Sequence, residues 1–166
     1  MKQAGNTGTR IVHPLKPIID ENARVLILGS FPSVISREEM FYYANPMNRF
    51  WSVLAAVFEE EITDRKEFCL RHRIALWDVI AQCTIIGSRD ESITDVLVND
   101  IPGLIRNTGI HTIFTNGRKA SELYQKYIHT DLPQITLPST SSANARYRMD
   151  DLIREYRKIR EYAEKD

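Results

Sequence analysis

Arg24-Val25-Leu26-Ile27-Leu28-Gly29 is an unbroken apolar run with β-branched members, closed by glycine. A strand with one wet face would alternate apolar and polar residues. A run without alternation suits a strand buried on both faces, as in a parallel sheet covered by helices on both sides. Outward from it, Ile74-Ala75-Leu76-Trp77 leading into Asp78 reads as a second strand. His111-Thr112-Ile113-Phe114-Thr115 reads as a third, and Gln134-Ile135-Thr136-Leu137 as a fourth. A helix is expected from near Asn48 through Phe58, with Phe50, Trp51, Leu54, Ala55 and Phe58 on one side. Others are expected from Asp100-Ile101-Pro102, where proline suits a first turn, and from Asn116-Gly117 through Tyr127. A last helix is expected from about Ala145 to Ala163, striped by Met149, Leu152, Ile153, Tyr156, Ile159 and Ala163. Asp150 with Arg154, and Arg157 with Glu161, have i,i+4 spacing on its wet side. Between Val79 and Asn99 the pattern is loose, and the segment from Ser30 to Pro46 reads as a loop.

Strands alternating with helices predict an α/β fold, a three-layer α/β/α sandwich around a central four-stranded, mostly parallel sheet. The chain of 166 residues is the size of one domain. Residues 1–10 are polar and expected to be a flexible N-terminus, followed by a single domain over residues 11–166. His13-Pro14-Leu15-Lys16-Pro17 reads as an extended lead-in, and His13 as a surface or packing histidine.

Hydrophobic residues make up 43% and charged residues 27%, ordinary values for a globular chain. Formal net charge is zero, so nucleic-acid binding requires a local basic patch. Cys69 and Cys83 are too few for a disulfide framework, and the first ten residues contain no apolar signal core. A cytoplasmic, intracellular protein, monomeric and without a membrane partner, is therefore expected. Cys69 and His72 lack a second ligand pair at metal-like spacing, and the phosphate-loop and nucleophile-elbow motifs are absent. No metal and no cofactor is implied.

In a parallel sheet, ligands bind beyond the carboxyl ends of the strands, and the chemically suggestive residues gather there. Gly29-Ser30-Phe31-Pro32 follows the first strand and lets a ligand approach the backbone; the plainer reading is an ordinary turn. Tyr42-Tyr43-Ala44-Asn45-Pro46-Met47-Asn48-Arg49-Phe50-Trp51 offers aromatic faces for a flat base and two amides, Asn45 and Asn48, for a base edge or a water. The plainer reading packs both tyrosines on the core and uses Asn48 as a helix cap. Asp78 can receive a base N–H or hold a water, or be an exposed loop-start residue. Leu137-Pro138-Ser139-Thr140-Ser141-Ser142-Ala143-Asn144-Ala145-Arg146-Tyr147-Arg148 has hydroxyls, amides and arginines suited to phosphate, and no acidic residue lies between Asp131 and Asp150.

Three of these segments carry a family resemblance: Gly29 to Pro32, Tyr42 to Trp51, and Leu137 to Ala145. The chain resembles the uracil-DNA glycosylase superfamily and is most similar to its hypoxanthine-DNA (deoxyinosine) glycosylase branch, from about Ile11 onward. In the uracil-specific enzymes the first motif holds a water-activating Asp; here it offers Phe31, Ser30 and Ser33. Their second motif begins with His; here that position is Leu137. In the hypoxanthine branch the catalytic Asn of the central segment matches Asn48, while that branch usually has His-Pro at Asn45-Pro46 and often Gly at Ser33.

The resemblance implies a base-excision repair enzyme acting on DNA containing a deaminated base, hypoxanthine or uracil, flipped into a pocket. Asn48 is expected to orient the attacking water. Gly29, Ser30, Phe31, Pro32, Tyr43, Asn45 and Asp78 are expected to line the base pocket, with Tyr43 as stacking platform. Ser139, Thr140, Ser141, Ser142, Asn144 and Arg146 are expected at the DNA. The alternatives are a non-catalytic DNA- or nucleotide-binding module with this fold, and a small-nucleoside hydrolase.

Overall fold

The computed structural model describes residues 8–165. Among these residues seven strands and six α-helices follow in the order β1 (Thr9–Val12), β2 (Val25–Gly29), α1 (Val34–Glu39), α2 (Phe50–Phe58), α3 (Arg65–Arg71), β3 (Ile74–Asp78), β4 (Ile80–Ile85), β5 (Thr94–Val98), α4 (Ile101–Ile105), β6 (Thr112–Asn116), α5 (Arg118–Tyr127), β7 (Gln134–Leu137) and α6 (Met149–Ala163), with a 3₁₀ turn at Asp90–Ser92 between β4 and β5. Strands β3-β2-β6-β7 form the central sheet, parallel throughout. Every residue of β2 is buried. Val25 and Ile27 face a core completed by Phe50, Leu54, Leu152 and Tyr156, from α2 and α6. Leu26 and Leu28 face the opposite core, with Ile101, Leu123 and Tyr124, from α4 and α5. The alternating sides of one uniformly apolar strand thus anchor the two outer layers, and the expected three-layer sandwich is the observed one. No helix among the described residues is long and apolar enough to cross a membrane.

The structure corrects the reading in several places. The stretch after Val79 is a second, antiparallel sheet ordered β1-β4-β5. Thr9 and Arg10, expected in the flexible N-terminus, belong to its edge and pair with Ile85 and Thr84; residues 1–7 lie outside the described residues. Within the expected loop after β2, Ser33 caps the short helix α1 by accepting from the Ser36 N–H at 3.1 Å. Helix α3 was not expected; its available signal was Asp64-Arg65-Lys66-Glu67, for the Asp64 carboxylate accepts from the Glu67 N–H at 3.1 Å. The last helix begins at Met149, where the Asp151 carboxylate accepts from the Arg148 N–H at 3.0 Å. On that helix Arg154 pairs with Asp151 and not Asp150, and Glu161 pairs with Lys165 and not Arg157.

Order in the central sheet sends the chain from β2 to one side and from β6 to the other. The reversal leaves a crevice at the carboxyl ends of β2 and β6. Gly29, Asp78, Asn116 and Leu137, the last residues of the four strands, therefore end at one site.

Candidate active site

At that end of the sheet lies an open cleft of about 1120 Å³. It gathers Gly29, Ser30, Phe31, Pro32, Tyr43, Asn45, Asn48 and Asp78 with the loop from Ser139 to Arg146, so every residue expected at the site lines it.

Tyr43 is placed by the elements around it. The Ser36 hydroxyl of α1 accepts from the Ala44 N–H at 3.0 Å, and the buried Trp51 indole of α2 donates to the Tyr42 carbonyl at 2.9 Å. Between these fixings Tyr43 takes a left-handed backbone, φ 52°, uncommon for a bulky residue and costing on the order of 1 kcal/mol. Its ring lies on Phe50, centroids 3.9 Å apart and planes at 17°. One face is thus covered, while the residue lines the cleft. Its hydroxyl is buried and has no hydrogen-bond partner. Burial, and next the nearby Asp78 carboxylate, raise the phenol well above its ordinary range, so it keeps its proton. Tyr42 behaves as the plainer reading expects: it is 3% exposed and its hydroxyl donates to the Lys16 carbonyl.

Asn48 is held by the helix it precedes. Its Oδ1 accepts from the Phe50 N–H at 2.9 Å. That bond fixes which end of the amide is oxygen and which is nitrogen. It also leaves a lone pair on Oδ1 and both Nδ2 hydrogens for other partners. The N-cap of α2 is Arg49, without a side-chain cap bond; Asn48 instead closes an Asx turn just before the helix, which leaves it able to orient a water. Asn45 is used similarly, with Oδ1 accepting from the Met47 N–H at 2.9 Å.

Asp78 is not an exposed loop-start residue but 3% exposed. Its Oδ2 lies 2.7 Å from His13 Nε2, and Asn99 donates to its backbone carbonyl at 2.8 Å. His13 was read as a surface or packing residue. Sixty-five positions separate the pair in sequence, so no local pattern joins them. A methyl group on Gly29 would stand 2.5 Å from Asp78 Oδ1 and 3.1 Å from the Tyr43 hydroxyl. Only a residue without a side chain leaves room there for the carboxylate and an approaching ligand. Gly29→Ala is accordingly expected to displace the Asp78 carboxylate and cost about 1–3 kcal/mol, the range for forced overpacking. Thermal denaturation reads the loss of stability, and reduced affinity for a damaged duplex reads the loss of the pocket.

Sequence reading also missed Asp90, Arg118 and Lys119, which line the same cleft. Ser30 donates to Asp90 Oδ1 at 2.9 Å, and desolvation at the wall raises the Asp90 carboxyl. Arg118 and Lys119 open helix α5 immediately after the β6 turn, whose Asn116-Gly117-Arg118-Lys119 was the available signal. With Arg89 and Arg146 they place four cations on the cleft wall, where Asp78, Asp90, Glu91, Glu122 and Glu155 also stand, so the lining is of mixed charge and not a uniform basic patch.

The 139–147 loop is wound on itself. The Arg49 guanidinium donates to the carbonyls of Thr140 (3.4 Å), Ser141 (2.8 Å), Asn144 (3.1 Å) and Tyr147 (2.7 Å). The Asn144 amide donates to the Ser139 carbonyl at 2.9 Å, and Thr140 is fully buried against Asn116. Thr140, expected at the DNA, therefore shapes the loop from beneath. Of the residues expected at the DNA, Ser142 and Arg146 are the exposed ones. Among the described residues no group of three or more metal-ligating side chains comes together.

Residues 17–164 match the family model described as the Uracil DNA glycosylase superfamily. A protein of Methanosarcina acetivorans named hypoxanthine DNA glycosylase is 38% identical over 136 residues, covering 78% of this chain and 86% of that one. A protein of the same name from Methanosarcina barkeri is 31% identical over 137 residues, with the same coverage. The solution NMR structure of a Methanosarcina acetivorans protein, described as a candidate uracil DNA glycosylase, superposes with a TM-score of 0.78 at 32% identity, covering 91% of this chain and 97% of its own. With the parallel sheet, the cleft at its carboxyl edge and a family match over nearly the whole described chain, this protein belongs to the uracil DNA glycosylase superfamily.

Proposed function

We propose that the protein is a monofunctional DNA glycosylase that hydrolyses the N-glycosidic bond of deoxyinosine and releases hypoxanthine. The observation that carries this reading is the convergence in one cleft of an amide held by a backbone bond (Asn48), an aromatic ring (Tyr43) and a carboxylate with one oxygen left over (Asp78). The same name borne by the two Methanosarcina relatives supports the choice of base.

A base inside a duplex is out of reach, so it must be flipped at a cost of a few kcal/mol, less for a mispaired base. The flipped base stacks on the Tyr43 face opposite Phe50; a base–aromatic stack contributes roughly 1–3 kcal/mol. Asp78 Oδ1 accepts the N1–H that hypoxanthine carries. The Asn45 Nδ2, free because Oδ1 is occupied by Met47, donates to the base as negative charge develops on it. As the C1′–N9 bond breaks, its electron pair leaves with the base and the sugar acquires oxocarbenium character. Asn48 orients the water that adds to C1′, and the water's proton passes to solvent. An amide is a weak base, so its contribution is orientation.

The test uses duplexes carrying one inosine, uracil or xanthine, incubated with the protein and then treated with alkali to cut abasic sites. Strand breaks at inosine are expected. Binding without breaks at any base would establish the non-catalytic module instead, and release from free nucleosides alone would establish the nucleoside hydrolase.

A further inference from the structure

His13 is an ionisable side chain behind the pocket wall that the mechanism above leaves without a part. Its ring is 3% exposed and wedged between Phe31 (centroids 5.8 Å, 80°) and Tyr42 (6.3 Å). Its backbone is tied to β4 by donation from His13 N to the Ala81 carbonyl at 2.8 Å. The Leu15 N–H donates to His13 Nδ1 at 3.2 Å, so Nδ1 serves as acceptor and the ring proton resides on Nε2. Nε2–H therefore points at Asp78 Oδ2, 2.7 Å away. One carboxylate oxygen is occupied and the other, Oδ1, is left beside the bare face of Gly29 and near the unpartnered Tyr43 hydroxyl. A buried polar group without a partner marks a place that a ligand's polar edge completes.

We propose that His13 is a positioning residue for base selection: its fixed Nε2–H holds Asp78 so that a pure acceptor, Oδ1, meets the flipped base. This rests on the glycosylase reading of the cleft. Hypoxanthine presents N1–H, a donor, and the pairing is favourable. Adenine presents a lone pair at N1, which opposes the carboxylate. A site built to hydrogen-bond a donor rejects the analogue lacking it, because its own buried group is then left unpaired. The filter acts against adenine, the undamaged base from which hypoxanthine arises.

The arrangement makes an unusual prediction about a pair of substitutions. In Asp78→Asn, His13 Nε2–H still demands an acceptor, so it takes the amide oxygen and turns the NH₂ toward the base. The pocket then prefers an acceptor at N1. Adding His13→Ala frees the amide to rotate its oxygen to the base. The second change should therefore partly restore what the first removes, the reverse of two independent losses.

The experiment measures two quantities for the wild type, Asp78→Asn and Asp78→Asn/His13→Ala. One is single-turnover base release from duplexes carrying one deoxyinosine or one deoxynebularine, whose purine has only a lone pair at N1. The other is equilibrium affinity for the same duplexes with a 2′-fluoro sugar that resists cleavage. Each variant is scored by its inosine-to-nebularine ratio, which cancels differences in folded fraction. Asp78→Asn is expected to lower the ratio by about tenfold or more, and the added His13→Ala to raise it again by several-fold. An unchanged ratio in Asp78→Asn, or no recovery in the double variant, overturns the proposal. The affinity arm separates it from its parent reading. Swapped affinities without any base release defeat the glycosylase and leave the filter standing. Efficient hypoxanthine release with one ratio in all variants defeats the filter alone.

Discussion

Asn48→Ala is expected to cut hypoxanthine release by roughly 100-fold or more, the range spanned by positioned proton-handling groups and by misplaced reactants, while duplex affinity stays close to wild type. Two effects of this substitution must be kept apart. Alanine removes the group that orients water, and it also removes the oxygen that accepts from the Phe50 N–H. Losing such a side-chain-to-backbone hydrogen bond costs about 1 kcal/mol, which for a chain of this size lowers Tm by about 2–4 °C. Asn48→Ser retains a short oxygen for the Phe50 N–H but cannot reach outward from the same place. The serine variant should regain most of the lost Tm while remaining nearly as slow as alanine in single-turnover assays. If serine restored the rate together with Tm, the defect would lie in the helix start, and the water would have to be oriented by another group in the cleft.

How much of this was legible in the sequence depends on whether the signal was local. β2 declared itself because five buried residues on one strand must all be small or apolar, and a parallel strand buried on both faces leaves few alternatives. Asn48 and Tyr43 were found because both sit in one ten-residue segment next to a helix start. The antiparallel sheet was missed for the opposite reason. Its pairs join Thr9–Val12 to Gln82–Ile85, and β4 against β5 is interrupted by register shifts, with Asp95 in a left-handed conformation. Neither strand carries a clean period of two. The His13–Asp78 contact has the same character, since each residue is unremarkable alone and becomes informative only when the β1 edge brings the lead-in across the end of β3. Arg49 was visible in the motif, yet its reach to carbonyls more than ninety residues away was not.

That reach sets the second large effect. Arg49→Met is expected to weaken duplex binding by about tenfold or more without changing how steeply binding depends on salt. A hydrogen bond from a charged donor contributes about 1.5–3 kcal/mol, and here a planar fork serves the carbonyls of Thr140, Ser141, Asn144 and Tyr147 at once. Methionine fills similar space but its side chain donates nothing, so four carbonyls lose the guanidinium; those of Thr140 and Ser141 keep only the backbone N–H groups of Arg49 and Asn144, and the loop bearing Ser142 and Arg146 loses its shape. Lysine, with a compact ammonium in place of the fork, cannot replace it. Because the Arg49 donors are committed within the protein, no phosphate contact disappears, and the slope of log affinity against log salt should hold. Arg146, exposed on the loop, is the contrasting case. Arg146→Ala should weaken binding modestly and reduce that slope by about one. Salt titrations of both variants on a single duplex decide the matter. A reduced slope in Arg49→Met would mean that Arg49 leaves the loop to grip phosphate when DNA binds, and the loop's shape would then depend on the DNA.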